Sequence, residues 1–196
     1  MTVNMKEKTI INFIYSEVYD QVLSELADGF GESQAEEVSS QTALLSEKWA
    51  QYEEKVISEL KKYPPYAFNP QQVNCYLVRK FPYTGISDPL TIRLREGANL
   101  DLAIATLVHE LVHISIEPKE AALSAKIGQE FPEVTEYRTQ LHVVVNFIEY
   151  NILKQVFDKP TLDKIMEREL ILKGLKDAWN IVLSDEDKLS KILIYI

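Results

Sequence analysis

Residues 90–116 read LTIRLREGANLDLAIATLVHELVHISI, and the change of rhythm along them sets the fold class. Over residues 90–95 apolar and basic side chains alternate. Ile92 and Leu94 fall to one side, Arg93 and Arg95 to the other, which predicts a half-exposed edge strand. Beyond Gly97 the period lengthens. Asn99 suits an N-cap, Asp101 lies in the first turn where a carboxylate favours the helix dipole, and apolar residues recur at helical spacing until Pro118. A strand therefore runs almost directly into a long apolar helix.

Towards the N-terminus, Ile10, Ile11, Phe13, Ile14, Val18, Val22, Leu23 and Leu26 recur at three- and four-residue spacing. They predict one helix, stopped by Gly29 and Gly31. A second helix is expected over about 33–63, with Leu45, Trp49, Val56 and Leu60 on one side and Pro64 and Pro65 ending it. Residues 73–81 (VNCYLVRKF) predict another strand, and Pro82, Gly85, Asp88 and Pro89 separate it from the first. Later helices are expected at about 119–130, 133–157, 160–180 and 185–195, with Pro132 and Pro160 in first turns and Ser184 as a cap. The expected class is α+β, helix-dominated, with a short mixed or antiparallel sheet. One domain is expected over residues 1–196, with 1–65 a helical N-terminal annex and 66–196 the core that carries the chemistry.

Composition narrows the function. The 196 residues are 46% hydrophobic, enough for a packed core, and 21 basic against 30 acidic side chains give a net charge of −9. That balance argues against a nucleic-acid partner, which needs clustered Lys and Arg. Cys75 is the only cysteine and forms no internal disulfide. The first twenty residues lack a signal-peptide pattern, and no apolar run approaches the roughly 18–20 residues of a membrane span. The expectation is a soluble, cytoplasmic protein without a membrane partner.

Within the long helix, His109, Glu110 and His113 spell H-E-x-x-H. Residues four apart lie one turn apart on the same face, so both imidazoles reach one tetrahedral Zn²⁺. Glu110 projects about 100° from His109, close enough to serve a water without being a ligand. Zinc lowers the pKa of that water towards neutrality, and the carboxylate accepts its proton. The flanks (Ile104, Leu107, Val108, Leu111, Val112, Ile114) are apolar. Two unpartnered histidines and a glutamate would be costly among them, which favours a metal over a plain structural motif.

Residues 90–115 resemble the zincin metallopeptidases. The resemblance implies a zincin-like domain with an active-site helix and a C-terminal helical subdomain. It makes His109 and His113 zinc ligands and Glu110 the general base. It also makes the strand TIRLRE the upper rim of a cleft, where an extended peptide or protein substrate pairs with its free edge. The metzincin branch carries Gly three residues and His six residues beyond the second His. Ile116 and Lys119 stand there, so that branch is excluded. The gluzincin branch takes a Glu from a downstream helix, in its best-known members within Asn-Glu-x-x-Ser-Asp, a string absent here.

The third ligand is sought on the helix expected at about 133–157. His142, Asn146 and Glu149 fall within about 60° of one another, on a narrow polar stripe between two apolar bands. Thr135, Arg138 and Thr139 continue the stripe, while Gln140, Asn151, Lys154 and Gln155 form a separate face assigned to solvent. His142 is the first choice, as the only histidine outside the motif. Glu149 is the alternative third ligand, and either could instead orient a ligand from behind. Glu136 lies off the stripe. Tyr137, Arg138 and Tyr150 are candidates to stabilise an oxyanion, with ordinary packing the favoured reading.

The leading function is a zinc-dependent peptidase. The rivals are a toxin–antitoxin-like regulatory module acting on one dedicated protein partner, and a non-catalytic protein whose helices zinc staples together. The C-terminal LSKILIYI (residues 189–196) reads as a final amphipathic helix docked on the core.

Overall fold

The computed structural model describes residues 10–26, 35–63, 72–94, 97–172 and 175–193. Four strands, β1 (Ile10–Tyr15), β2 (Gln72–Val78), β3 (Gly85–Ser87) and β4 (Leu90–Arg93), form one mixed sheet in the order β1-β2-β4-β3. The first three neighbours run parallel, with Ile10 opposite Gln72 and Leu77 opposite Ile92, while β3 runs antiparallel to β4. A parallel pair needs a long crossover. Helices α1 (Glu17–Leu26), α2 (Ala35–Ala50) and α3 (Glu53–Leu60) supply it between β1 and β2.

After β4 the chain is helical: α4 (Leu100–Ile116), α5 (Glu120–Glu130), α6 (Tyr137–Val156), α7 (Lys159–Glu169), α8 (Lys176–Ser184) and α9 (Glu186–Leu193). The class is α+β with helix dominant. Among the described residues, no helix is long and apolar enough to cross a membrane.

Strand alternation assigns the two faces. Cys75, Leu77, Ile92 and Leu94 enter one large core with Ile104, Leu107, Val108 and Leu111 of α4 and Val144, Ile148 and Ile152 of α6. On the opposite face Val78 joins Leu23 and Phe81 in a small second cluster under α1. There the Tyr19 ring meets Tyr76 edge-on, and its hydroxyl lies 3.1 Å from that of Thr91.

Several expectations are corrected. Residues 10–15 are a strand, not the start of a helix. Their apolar spacing satisfies either reading, but the run is short, and Ser16 interrupts it by accepting the Tyr19 N–H at 3.3 Å to head α1. Gly29 and Gly31 lie outside the described residues. The single helix expected over 33–63 is two, broken at Gln51 and Tyr52. At the break Glu53 is buried and accepts both the Trp49 indole N–H and the Ile11 backbone N–H at 3.1 Å, tying the turn to β1. Residues 10–60 supply a sheet strand and contribute Leu45, Trp49, Val56 and Leu60 to the common core.

The TIRLRE strand is not the edge either. β4 lies between β2 and β3, and Leu90, Thr91 and Ile92 are buried. Arg93 is not solvated as alternation implied, because its Nη1 donates to the Phe81 carbonyl at 2.6 Å. The edge belongs to β3, a three-residue strand too short to show periodicity. Further on, the helix expected over 160–180 is split into α7 and α8. Pro132 precedes α6 by a turn, and Ser184 closes α8 instead of capping α9. Pro160 does sit at the head of α7, and Asn99 does cap α4, accepting the Asp101 N–H at 2.9 Å. Of the C-terminal segment, Leu189, Ile192 and Leu193 are buried on α9, and residues 194–196 lie outside the described ones.

Candidate metal centre

The capped helix α4 is enclosed because the sheet covers one side and α6 another. His109 and His113, one turn apart, face α6, from which His142 approaches. The ring centroids are 5.0 Å apart for His109–His113, 5.7 Å for His109–His142 and 5.3 Å for His113–His142. One ring nitrogen from each residue lies within 4.8 Å of the other two, a cluster able to hold a metal ion.

The bonds behind the rings set the tautomers. His142 Nδ1 lies 2.8 Å from the Arg138 carbonyl, which only accepts, so Nδ1 carries the proton and Nε2 is the lone-pair nitrogen. His109 Nδ1 lies 2.8 Å from Oε2 of Glu149. With Nδ1 donating to that carboxylate, Nε2 of His109 is likewise the nitrogen that a metal ion would take.

The polar stripe of α6 therefore divides its tasks. His142 stands with the two motif histidines, Glu149 backs His109 from a fully buried position, and Asn146 is buried between them. Glu136 is exposed at the helix start, where it accepts the Thr139 hydroxyl. Gln140, assigned to solvent, is half-buried and donates to the Val134 carbonyl at 2.7 Å. The two tyrosines among the oxyanion candidates have other partners. The Tyr137 hydroxyl donates to Glu120, Tyr150 packs edge-on to Trp179 beneath Lys154, and Arg138 contributes its carbonyl.

Electrostatics suit a cation. Burial and the neighbouring imidazoles hold His113 down at about 2 and His142 at about 4, so both are neutral at physiological pH. Burial pushes His109 the other way from its partner, but Glu149, with Glu110 and Glu169, outweighs it and raises the imidazole. Burial also raises Glu149. Glu110, Glu149 and Glu169 are all buried, and Arg168 pairs with Glu169. When all three carboxylates are ionised, Arg168 offsets Glu169 and a protonated His109 offsets Glu149, which leaves a net negative surround for a cation.

Glu110 does not point at the histidine cluster's backing groups. It lies beneath β3, where a Cβ placed on Gly85 would fall 2.7 Å from Oε1, 2.9 Å from Cγ and 3.0 Å from Cγ2 of Thr106. Among the described residues nothing donates a hydrogen bond to its carboxylate. Burial raises its pKa, and the His109 charge offsets only part of that. Burial and Glu110 together push the nearby Cys75 thiol far up, leaving it inert.

Gly85, Arg168 and Glu169 were not singled out from sequence. Gly85 sat in a stretch read as a turn, and the other two in a helix without motif. Gly85→Ala should leave metal content unchanged while displacing Glu110. If Glu110 serves a reaction, its rate would fall by about 10²-fold, the scale of a 1 Å misplacement, to be checked by metal analysis alongside rate measurement.

No family model matches the chain, and neither does any curated protein or solved structure.

Proposed function

We propose that the protein is a zinc-dependent peptidase of the zincin type, with His109, His113 and His142 holding the ion and Glu110 as general base. Zinc held by the three imidazoles, with His109 giving up its extra proton, would supply a Lewis acid able to acidify water and polarise a peptide carbonyl. Glu110 is suited to take the proton of the attacking water on a carboxylate oxygen and to pass it to the departing amine. Its raised pKa improves the match to neutral pH. Glu149 holds His109 in orientation, and the Arg138 carbonyl does the same for His142.

What supports this reading most is Glu110: a buried carboxylate that feels the charge of His109 in the imidazole cluster and accepts no hydrogen bond from any described residue. A zinc staple has no use for such a group, which costs stability. The cluster among the described residues has three members, and three protein ligands leave a coordination position for chemistry. Strand β3 pairs only with β4 among the described residues, so its outer backbone edge supports the role first given to TIRLRE, the binding of an extended peptide.

The test is metal analysis with digestion of a peptide library followed by mass spectrometry. The expected result is about one zinc per chain and discrete internal or terminal cleavages, abolished by a chelator and restored by added Zn²⁺. A metal-loaded, folded protein that cleaves nothing in a broad library would remove the proposal.

A further inference from the structure

Thr106 and Glu110 lie one turn apart on α4, side by side beneath Gly85. The last turn of α7 brings Arg168 to the same place, with Nη1 at 3.4 Å from the Thr106 hydroxyl oxygen and 2.5 Å from Oε1 of Glu169. Thr106 spends its own proton on the Leu102 carbonyl, so its oxygen accepts from the guanidinium. Both bonds leave from Nη1. Nε and Nη2 donate to no described residue.

The pair is asymmetric in burial, Glu169 keeping 6% of its side-chain surface exposed and Arg168 24%. The guanidinium is thus fixed at one end by a buried acid and presents unused donors at the other, one helical turn from the proposed general base. A planar fork with Nε and Nη2 unspent matches a carboxylate in bidentate fashion. The β3 edge is three residues long, so backbone pairing alone would hold a peptide by few bonds, and a charged anchor nearby would complete its register.

We propose that Arg168, held by Glu169 and Thr106, binds a carboxylate of the peptide substrate beside Glu110. The inference rests on the peptidase reading above. Two sources present this chemistry, the C-terminal α-carboxylate and an Asp or Glu side chain.

The test uses the full-length, zinc-loaded protein and three peptides of one sequence: a free acid, its C-terminal amide, and the amide with a Glu next to the cleaved bond. The wild type should prefer one carboxylate-bearing peptide over the plain amide, and the preferred arm identifies the source. In Arg168→Lys and Arg168→Gln the acid-to-amide ratio of kcat/KM should fall by about 10–100-fold, the share of a charge-assisted pair, with the change in KM. Arg168→Lys keeps the charge and guards against loss of folding in the neutral variant. An unchanged ratio, or a wild type indifferent to carboxylates, overturns the assignment. If no peptide is cleaved, the peptidase reading fails first. Calorimetric binding of the same peptides to zinc-loaded Glu110→Gln protein then decides the Arg168 proposal, which equal affinities would overturn.

Discussion

Glu110→Gln should abolish peptide turnover, lowering kcat by at least about 10²–10⁴-fold, while the protein still binds its metal in full. Gln fills the same volume beneath Gly85 and accepts no proton, so the change isolates proton transfer from packing. It should also make the metal-free protein more stable at neutral pH. Burial raises the folded-state pKa of Glu110 above its unfolded value, so folding favours the protonated form. The wild type therefore carries no penalty well below the unfolded pKa and acquires one as pH rises through it, a penalty the amide lacks. Melting temperatures of the two metal-free proteins should coincide at low pH and separate towards pH 7, the variant being the higher. Gain of stability with loss of turnover is the pattern of a residue kept for chemistry. A variant that lost its metal would instead show that Glu110 supports the ligands.

The H-E-x-x-H segment was legible because every determinant of α4 is local: the Asn99 cap, the apolar period, and histidines one turn apart. The convergence of His142 was legible for a related reason. On a helix whose two apolar bands are committed to the core, the stripe between them has one direction left, and His142, Asn146 and Glu149 share it. The division of labour along that stripe was not legible. Which residue meets the motif histidines and which stands behind His109 depends on where α6 crosses α4, and helical phase alone does not contain that. Strand β1 was misread because Ile10, Ile11, Phe13 and Ile14 satisfy two periods at once over a run too short to separate them. The edge strand was misassigned because alternation in TIRLRE assumes that an arginine faces water, whereas Arg93 is satisfied by the Phe81 carbonyl. Gly85, Arg168 and Thr106 meet only through tertiary packing of β3, α7 and α4, and no one-dimensional pattern marks them.

His142→Ala and Glu149→Gln, made separately, distinguish a donor from its support. Removing one ligand should weaken zinc binding by about 10²–10³-fold, one donor's share of the roughly 10–16 kcal/mol that a four-ligand zinc site gives. His142→Ala should therefore be purified with little metal and stay inactive when zinc is added at moderate excess. Glu149→Gln keeps the size of its side chain, and its amide oxygen still accepts from His109 Nδ1, but the negative charge that strengthens that imidazole as a donor is gone. The expected loss of zinc affinity is about 10-fold, the low end for a group behind a ligand, and excess zinc should restore activity. The reverse ranking, with His142→Ala retaining full stoichiometry and Glu149→Gln losing it irrecoverably, would make Glu149 the third ligand and leave His142 as a neighbour held by the Arg138 carbonyl. Each outcome also bears on Arg168. If Glu149 became a ligand, its charge would be spent on the ion, and the Arg168–Glu169 pair would face a less acidic site beside Glu110.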